Sequence, residues 1–468
     1  MTFVPPFPPR MARAPSALRR LALARHNLLA MWEEDSFQVE FASAQILRRR
    51  IFLCNCPEAV QFAFSTSNAS FERKSPQHRG ALQPLLGDGL FVSDGAVWRK
   101  RRRIVAPTIH VSRLPAFAPV MVEAALEVRT ALARRAGQSV DMLEEAAQLT
   151  AEIIARTLFG RRLGREHAGA VVAGFSDYQR QVGQLDVLSF LGLPQWLPRW
   201  QGRGVRRAAD RVLGVLDRII ADCRQSGDQD SVVQALLAAR DEETGEALPD
   251  DAVRNEAAVL FMAGHETTAN SLAWALYLLS QDADAEARLL AEIDMVLGSR
   301  PPTLNDVPRL AYTRAVLEET MRLYPPVPFL TREALKDEEF RGRRIPKGSM
   351  ILVAPWLLHR HRKFWEAPDQ FRPERFLPGA PEISKFLYVP FSIGPRVCAG
   401  LSFGLTEAIL CLAVLAQGLR LRLAPGTDVR PVCRLTLRPD GGLPMRIETR
   451  QPPAAATPPA AAGCPHGS

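Results

Sequence analysis

The sequence predicts a mainly α-helical fold with small β-sheets. Helical patterns extend over much of the chain, and the longest, Pro249 to Gln281, would span on the order of 45 Å at 1.5 Å per residue. Strand-like runs rich in Phe, Val, Ile and Leu are short by comparison. They fall at Ser36 to Ala42, Gln45 to Cys54 and Val327 to Trp356. We therefore expect the sheets to be minor elements beside the helices.

The first half of the chain contains several helical patterns. A Pro-rich lead at Pro5 to Pro9 comes first and is expected to be extended. Helices are then predicted over Ser16 to Trp32, Pro57 to Thr66, Pro115 to Phe159 and Gly164 to Gly227. The third of these should break near Ala136-Gly137, with Asp141 as the N-cap of its second part. Ser67 to Gly95 has only scattered apolar residues and is expected to be loop-rich.

Two segments are not predicted to form helices or strands. The apolar connection Leu185 to Pro198 either lines a substrate entrance, touches a membrane surface or packs under a neighbouring helix. The C-terminal stretch Gln451 to Ser468 is rich in Pro and Ala and is expected to be disordered. Its Cys464-Pro465-His466 tract supplies too few ligands for a metal site.

Composition limits the possible partners and compartments. Lys and Arg number 59 against 50 Asp and Glu, which leaves a net charge of +9. The densest basic run is Arg99 to Arg103, but finger spacings, aromatic platforms and a basic tail are missing, so no nucleic-acid partner is expected. Seven scattered cysteines fit a reducing compartment better than a disulfide framework. Together with an N-terminus that lacks a signal-peptide pattern, this predicts a cytoplasmic protein.

A transmembrane anchor is not expected. The apolar stretch Ala257 to Leu279 is long enough to suggest a membrane span, but His265 and Glu266 lie at its middle. An ionised side chain at the centre of a bilayer costs several kcal/mol, and no partner for it is visible in the sequence. We therefore interpret this stretch as a helix of the protein interior.

The loop Phe391 to Gly400 presents Cys398 at the start of an apolar helix, which is predicted from Leu401 to about Leu415. A thiolate at this position faces unpaired helix N–H groups and the positive end of the helix dipole, which lower its pKa. Gly394 and Gly400 allow turns and close approaches that a Cβ would block. These features favour a metal ligand, and the alternative is a buried cysteine that acts as a small hydrophobe.

The same loop resembles the haem-thiolate loop of the cytochrome P450 family, F-x-x-G-x-R-x-C-x-G. It matches at Phe391, Gly394, Arg396, Cys398 and Gly400. The resemblance implies haem b (iron protoporphyrin IX) with Cys398 as the axial iron ligand. It also implies a triangular-prism helical domain with a long central helix crossing the haem. That domain would cover residues 36–449, between a lead with the first helix at 1–35 and a tail at 450–468.

Basic side chains are predicted to bind the acidic groups of this cofactor. Trp98 and Arg102 lie four residues apart and would share one helix face, so an indole N–H and a guanidinium can both donate to a carboxylate. Without a cofactor, the Trp would simply pack on the Arg stem. By resemblance, the haem propionates are held by Trp98, Arg102, Arg332 and Arg396. His359 either reaches a propionate or belongs to a solvated basic turn.

A polar insert, Ala263 to Thr268, interrupts the longest helical pattern. Gly264 permits close approach, and the Thr267 hydroxyl can bond back to the carbonyl of Ala263 and loosen a turn. A zinc-protease motif is excluded because the second His of H-E-x-x-H is absent, and a satisfied polar cluster is the simple alternative. The insert resembles the oxygen-activating segment of the P450 family. By that resemblance Glu266 and Thr267 are the acid and the alcohol that deliver protons.

Glu319 and Arg322 lie three residues apart in a predicted helix. Such a pair is common at surfaces and contributes only a few tenths of a kcal/mol, about 0.2–0.5. However, Pro373 to Phe376 resembles the second half of a P450 charge network. The resemblance therefore implies a buried structural triad of Glu319, Arg322 and Arg375 that supports the Cys398 side of the haem.

The resemblance also implies a mostly apolar substrate pocket. Its predicted lining is Leu260, Ala263, Val327, Phe329 and Leu330. The turn from Arg438 to Leu443 is expected to border the substrate as well.

The function implied is that of a soluble, bacterial-type haem-thiolate monooxygenase. It would use O2 and two electrons to insert one oxygen atom into an apolar small molecule, by hydroxylation or epoxidation. The chain has no nucleotide-binding glycine pattern or cysteine cluster, so a separate ferredoxin- or flavodoxin-type donor with its NAD(P)H reductase is expected. Candidate docking residues are Arg99, Lys100, Arg101 and Arg103. The alternatives are a haem-thiolate peroxygenase or isomerase that needs no redox partner, and a non-catalytic haem sensor.

Overall fold

The computed structural model describes residues 3–13, 16–46, 49–161, 169–175, 177–178, 203–226, 231–433 and 435–451. The apolar connection Leu185 to Pro198 and the Cys464-Pro465-His466 tract lie outside the described residues. Helices dominate the described part of the chain. They are α1 Ala17–His26, α2 Pro57–Gln61, α3 Pro76–Leu86, α4 Gly95–Thr108, α5 Leu114–Ala133, α6 Met142–Phe159, α7 Arg203–Ser226, α8 Val232–Ala238, α9 Asp250–Gln281, α10 Ala283–Leu297, α11 Ala311–Leu323, α12 Pro355–Leu358 and α13 Leu401–Gly418.

The strands are short and form small sheets, as the sequence predicts. They are β1 Phe41–Ile46, β2 Arg49–Cys54, β3 Arg73–Lys74, β4 Ser139–Asp141, β5 Leu330–Glu333, β6 Glu338–Phe340, β7 Arg343–Ile345, β8 Met350–Val353, β9 Leu419–Leu423, β10 Pro431–Cys433, β11 Leu437–Pro439 and β12 Pro444–Thr449. The largest sheet has the order β1-β2-β8-β5-β3, and only β2 and β8 run parallel in it. The others are β4-β12-β9, β10-β11 and β6-β7.

Helix α9 lies at the centre of the apolar core. It packs against α6, α11 and α13, and its second half is buried almost completely. The Trp274 ring of α9 stacks on Tyr324 at 3.8 Å between centroids, just beyond the end of α11. Burying such aromatic side chains is among the larger contributions to stability, about 1.5–3 kcal/mol for a large apolar group. The core therefore holds α9 rigidly beside its neighbours.

Several local predictions are corrected by the structure. The predicted strand Ser36 to Ala42 is wrong, because a 3-10 turn occupies Glu34–Phe37 and β1 begins only at Phe41. The predicted helix Ser16 to Trp32 breaks at Asn27, whose extended backbone ends α1. Ser67 to Gly95 contains α3, with Ser75 as N-cap and a proline in its first turn. Asp141 is confirmed as the N-cap of α6.

Helix α13 is long and apolar enough to cross a membrane by composition, the one such helix among the described residues. Most of it is buried inside the protein, however, with side chains such as Leu412 and Val414 fully covered. A core helix passes the same test of length and composition. The apolar stretch of α9 that the sequence analysis considered does not pass it.

The Pro-rich N-terminal lead is not helical and packs onto the helical core. The Tyr324 hydroxyl donates a hydrogen bond of 2.7 Å to the carbonyl oxygen of Pro6. The Arg10 guanidinium pairs with Asp369 and lies 3.9 Å above the ring of Phe37. The lead is thus joined to residues far along the chain.

The basic run on α4 is engaged with acidic side chains of the same chain. Lys100 Nζ lies 2.6 Å from a carboxylate oxygen of Glu246, and Arg101 Nη2 lies 2.9 Å from one of Asp88. Arg103 pairs with Asp241 at 3.1 Å and Arg99 with Glu72 at 3.5 Å. Arg101 is buried, so its predicted role in docking an electron donor is wrong.

Candidate functional site

A cavity with a volume of about 270 Å³ lies between α9 and the loop that precedes α13. Its walls come from the middle of α9, the first turns of α13, residues 390–392, 396–400, 326–327 and 329–332, and parts of β3, α3, α4 and α6. All of the residues predicted to line the substrate pocket are in these walls. They are Leu260, Ala263, Val327, Phe329 and Leu330.

The Cys398 loop is held by backbone contacts. The Cys398 N–H donates to the carbonyl oxygen of Phe391 at 2.9 Å, and Arg102 Nη1 donates to that of Val397 at 3.0 Å. Gly394 has a φ of +74°, and a Cβ there would lie 1.8 Å from the carbonyl oxygen of Phe64. Only glycine fits such a turn. The prediction for Gly400 is not supported in the same way, because its Cβ would meet no atom within 4 Å.

The Cys398 side chain lies deep in the protein, and its accessible surface faces the cavity and not the outer surface. Burial deep in the protein raises the pKa of the thiol, against the lowering effect of the Gly400 N–H and of Arg102 and Lys74. The N–H group at the helix start lowers this pKa, as expected, but desolvation outweighs it and the net shift is upward. The sulfur nevertheless has donors and positive charge around it that would favour a thiolate once a cation approaches.

Basic residues from β3, α3, α4, β5 and the cysteine loop meet at the same cavity. Three of them, Arg102, Arg332 and Arg396, are predicted from the sequence. Arg332 is almost fully buried, and burial together with Arg396 lowers its pKa to about 9. Burial also lowers the pKa of Arg396 to about 10, and its Nη2 donates to the carbonyl of Ser93 at 2.8 Å. Trp98 lines the cavity too, with the Arg396 guanidinium 4.4 Å from its ring.

Sequence reasoning missed two further basic residues, Lys74 and His78. Burial, with added repulsion from Arg332 and Arg396, lowers the pKa of Lys74 well below its usual value. Burial, with added repulsion from Lys74 and Arg332, lowers the pKa of His78 to about 3, and its Nδ1 lies 2.7 Å from the Thr331 hydroxyl oxygen. Lys74 reaches the site because β3 pairs with β5, where it stands opposite Arg332. No local motif signals that pairing.

On α9, the hydroxyl of Thr267 donates to the carbonyl oxygen of Ala263 at 2.7 Å, as predicted, and both residues line the cavity. Gly264 makes a close approach, since a Cβ there would lie 2.9 Å from Ile154 Cδ1 of α6. Glu266 does not line the cavity. Its carboxylate accepts a hydrogen bond of 2.6 Å from the Thr436 hydroxyl.

Two other expectations about the cavity are wrong. The turn from Arg438 to Leu443 does not line it. His359 does not reach it either, and the segment around it is not a solvated turn, because His359, Arg360 and His361 are all buried. The Nε2 atom of His359 accepts from the Val389 N–H at 2.9 Å, which requires a neutral ring. Burial and two nearby arginines lower the pKa of His359 to about 3.

The predicted triad is assembled behind the Cys398 loop. Arg322 donates to both carboxylate oxygens of Glu319, at 2.6 and 2.8 Å, and both side chains are fully buried. Arg375 Nε lies 3.4 Å from Glu319. Arg322 also donates to the carbonyl oxygens of His359, Pro368 and Gln370. This network joins α11 to the segment that leads to the cysteine loop.

Comparison with known proteins agrees with this geometry. The family model for cytochrome P450 matches residues 25–444. The chain belongs to the cytochrome P450 family. It is therefore an oxidoreductase that incorporates oxygen from O2 into its substrate.

Among curated relatives of this cytochrome P450, "Cyclooctatin synthase" of Streptomyces melanosporofaciens is 38% identical over 89% of this chain and 92% of the relative. "Cyclooctat-9-en-7-ol 5-monooxygenase" of the same organism is 35% identical over 78% and 79%. The solved cytochrome P450DA heme domain superposes with a TM-score of 0.80 at 26% identity and covers 96% of this chain and 99% of its own. The cytochrome P450 fold is thus confirmed.

The cavity of this cytochrome P450 fits the cofactor of its family. Haem carries two propionate groups and needs an axial thiolate. Burial and mutual repulsion lower the pKa values of Lys74 and Arg332, and burial lowers that of Arg396 although Glu72 and Asp94 act on it in the opposite direction, so the cavity has an excess of positive charge. Two carboxylates would balance that charge, and Cys398 faces the same space.

Proposed function

We propose that the protein is a haem-thiolate monooxygenase in which Cys398 is the axial ligand of the haem iron. The observation that carries this proposal is that Cys398 faces a cavity shared by Lys74, Arg102, Arg332 and Arg396. When bound, haem b supplies the chemistry that activates O2. The protein binds and orients it, excludes water with apolar walls and supplies protons.

The propionates of the cofactor would be held by the basic residues and by Trp98. Arg102 and Arg396 also fix the loop around Cys398, through the carbonyls of Val397 and Ser93. Phe391 and Gly394 belong to the loop itself, and the close packing of Gly394 on Phe64 keeps it in place. The same residues therefore serve both the cofactor and the shape of its loop.

Thr267 is the residue to which we assign the alcohol role. Its hydroxyl lies on the cavity wall and already bonds to Ala263, so it can hold a water molecule there by accepting a hydrogen bond. Glu266 stays our candidate for the acid, as the family pattern implies. The Glu266 carboxylate is hydrogen-bonded to Thr436. To deliver a proton to the cavity, it would have to break that bond or act through a bound water molecule.

The substrate is proposed to be an apolar cyclic molecule. Leu260, Val327, Phe329 and Leu330 form an apolar wall and offer no charge to a substrate. Two relatives carry the names cyclooctatin synthase and cyclooctat-9-en-7-ol 5-monooxygenase. Hydroxylation of a ring carbon of a compound related to cyclooctat-9-en-7-ol is the reaction we favour.

Electrons are proposed to come from a separate ferredoxin- or flavodoxin-type protein with its NAD(P)H reductase, in the cytoplasm. The described cysteines are buried apart from Cys398, so no second redox centre is visible in the described residues. Turnover with peroxide alone, at a rate equal to that with reductant and O2, would favour the peroxygenase alternative instead.

The decisive experiment is the absorption spectrum of the reduced, carbon monoxide-bound protein. The chain expressed with ample porphyrin should give the spectrum of a thiolate ligand, and Cys398→Ala should lose it. Cys411→Ser is a matched control, since Cys411 is buried on α13 and does not line the cavity. A colourless purified protein, or a histidine-type spectrum in the unsubstituted protein, would contradict the proposal.

A further inference from the structure

Glu256 is a fully buried acid on α9, about two turns before Ala263, and it does not line the cavity. Its carboxylate oxygens both accept from one backbone donor, the Leu90 N–H, at 3.0 and 3.1 Å. Leu90 is 166 residues earlier in the sequence, in the connection of residues 87–94 between α3 and α4. A buried N–H outside regular structure needs such an acceptor, because leaving it unpaired is costly. Glu256 therefore fastens this connection to the central helix.

The 87–94 connection lies directly against α9 at this point. Gly87 has a φ of +53°, and a Cβ there would lie 2.3 Å from Nδ2 of Asn255. A Cβ on Gly89 would lie 2.8 Å from Cγ2 of Val259. Both glycines thus let the backbone approach the helix more closely than any other residue would. This close approach brings the backbone within reach of the carboxylate.

Charged and polar groups from three elements lie around the Glu256 carboxylate. Arg101 of α4 is buried, with Nε 3.6 Å from Glu256 and Nη2 2.9 Å from a carboxylate oxygen of Asp88. Asp88 belongs to the 87–94 connection and also accepts from Nδ2 of Asn255 on α9 at 3.4 Å. The buried carboxylate thus has a cation beside it, which a buried charge requires. These contacts join the connection to both helices.

The same connection supplies part of the cavity wall. Leu90 and Phe91 both line the cavity. Two residues after Phe91, the carbonyl oxygen of Ser93 accepts from Nη2 of Arg396 in the cysteine loop at 2.8 Å. The two cavity-lining residues are therefore held by Glu256 at one end and by Arg396 at the other.

We propose that Glu256 is a positioning residue for substrate selection. By holding the Leu90 backbone against α9, it fixes the apolar wall that Leu90 and Phe91 form. This inference rests on the proposed monooxygenase function and deepens it. The substrate class that such a wall favours is a rigid apolar ring system, because the two side chains offer no hydrogen-bonding group and an anchored wall adapts little to a flexible chain.

The first test measures the anchor itself, by amide hydrogen exchange of the haem-loaded full chain. In Glu256→Met the Leu90 N–H loses its acceptor, so exchange at residues 87–94 should be faster by about tenfold. Glu256→Gln keeps an acceptor and should exchange like the unsubstituted protein. Glu286→Met is the control, because Glu286 pairs with Arg422 away from the cavity. Unchanged exchange in Glu256→Met would show that the anchor does not exist.

The second test compares two probes that bind haem iron through an imidazole nitrogen. Imidazole fills little of the cavity, whereas 4-phenylimidazole adds a rigid apolar ring. The ratio of their dissociation constants, from absorption titrations of the haem-loaded chain, measures what the cavity wall contributes. Glu256→Met should reduce the preference for 4-phenylimidazole by about tenfold, because the wall must then be ordered on binding. A ratio equal to that of the unsubstituted protein would overturn the proposal.

Further variants show whether Glu256 acts through Leu90. Leu90→Ala should reduce the preference by a similar factor, and its combination with Glu256→Met should lose no more than the worse single variant. Glu256→Gln, the conservative variant, should keep most of the preference. A role in overall stability alone would move none of these ratios, because they are measured on folded, haem-loaded protein. Additive losses in the double variant would contradict action through Leu90.

Gly89→Ala disturbs the same contact from the opposite side and leaves Glu256 in place. Its added methyl group should push the connection off Val259 and reproduce the loss of preference, so this variant decides the matter if Glu256→Met does not fold. Thiolate ligation with unchanged probe ratios would overturn the positioning role alone. Absence of thiolate ligation in the unsubstituted protein would refute the proposed function, and the positioning role with it.

Discussion

The hydroxyl of Thr267 lies 2.7 Å from the carbonyl oxygen of Ala263, one turn earlier in α9 and on the wall of the cavity. This bond gives a carbonyl of an unbroken α-helix a side-chain donor and leaves a polar spot in an apolar wall. A water molecule bound there would donate a hydrogen bond to the Thr267 hydroxyl oxygen, whose own proton is directed to Ala263.

Thr267→Ala should therefore keep haem binding but supply protons less effectively. We expect reductant consumption to continue while product per reductant falls by about tenfold or more, with peroxide as the balance. Thr267→Ser keeps the hydroxyl and is the control. Coupling in the alanine variant equal to that of the unsubstituted protein would contradict the role of Thr267.

Lys74→Met should affect the haem-free and haem-bound forms in opposite directions. Lys74 is a cation near Arg332 and Arg396, so its removal should stabilise the haem-free protein by about 1–3 kcal/mol. It should also weaken retention of an anionic cofactor, measured as faster loss of haem to an acceptor protein. Lys100→Met is the control, since Lys100 pairs with Glu246 away from the cavity. Slower or unchanged haem loss in Lys74→Met would count against the propionate assignment.

Glu256 should make stability depend on pH. Burial raises its pKa from 4.5 to about 7, although its carboxylate accepts from the Leu90 N–H at 3.0 Å and lies near Arg101. The folded state then holds an extra proton between these values, so the free energy of unfolding should fall as pH rises through this range. The slope contributed is up to about 1.4 kcal/mol per pH unit.

Urea unfolding of the haem-loaded chain between pH values of about 5 and 8 would measure this slope. Glu256→Gln keeps an acceptor for the Leu90 N–H and should flatten the profile. Glu286→Gln, at an ion-paired site, should leave it as it was. A Glu256→Gln profile as steep as the original would show that Glu256 does not titrate in this range.

Arg322→Met should be strongly destabilising. It would leave Glu319 as an uncompensated buried charge and three carbonyl oxygens without their donor, so a loss of about 3–5 kcal/mol in the free energy of unfolding is expected. Arg314→Met on the same helix breaks an exposed pair with Glu318 and should cost less than about 1 kcal/mol. Similar losses in the two variants would mean that the buried network contributes little.

The sequence could predict those parts of the site whose chemistry is carried by local spacing. Cys398 with its glycines, the Thr267 bond to Ala263 and the shared face of Trp98 and Arg102 each depend on residues within one turn or loop. The long helix and the short strands followed from apolar periodicity for the same reason. Tertiary packing favours the same conformations as these local patterns, so the predicted elements are found in the structure.

What the sequence could not provide depends on distant contacts. Lys74 becomes a cavity residue only when β3 pairs with β5, and Glu266 turns to Thr436 only because β10 and β11 come close. In the sequence, the basic residues around His359 resemble a solvated turn. In the structure they are buried, and the carbonyl oxygen of His359 accepts a hydrogen bond from Arg322.

The N-terminal lead has a consequence for the order in which the chain can fold. Pro6 bonds to Tyr324, and Arg10 to Asp369, at sequence separations of 318 and 359 residues. The partners of Pro6 and Arg10 are therefore synthesised 318 and 359 residues after them. Closing loops of this length has an entropic cost. We therefore expect the N-terminal lead to dock late in folding, after the helical core has formed.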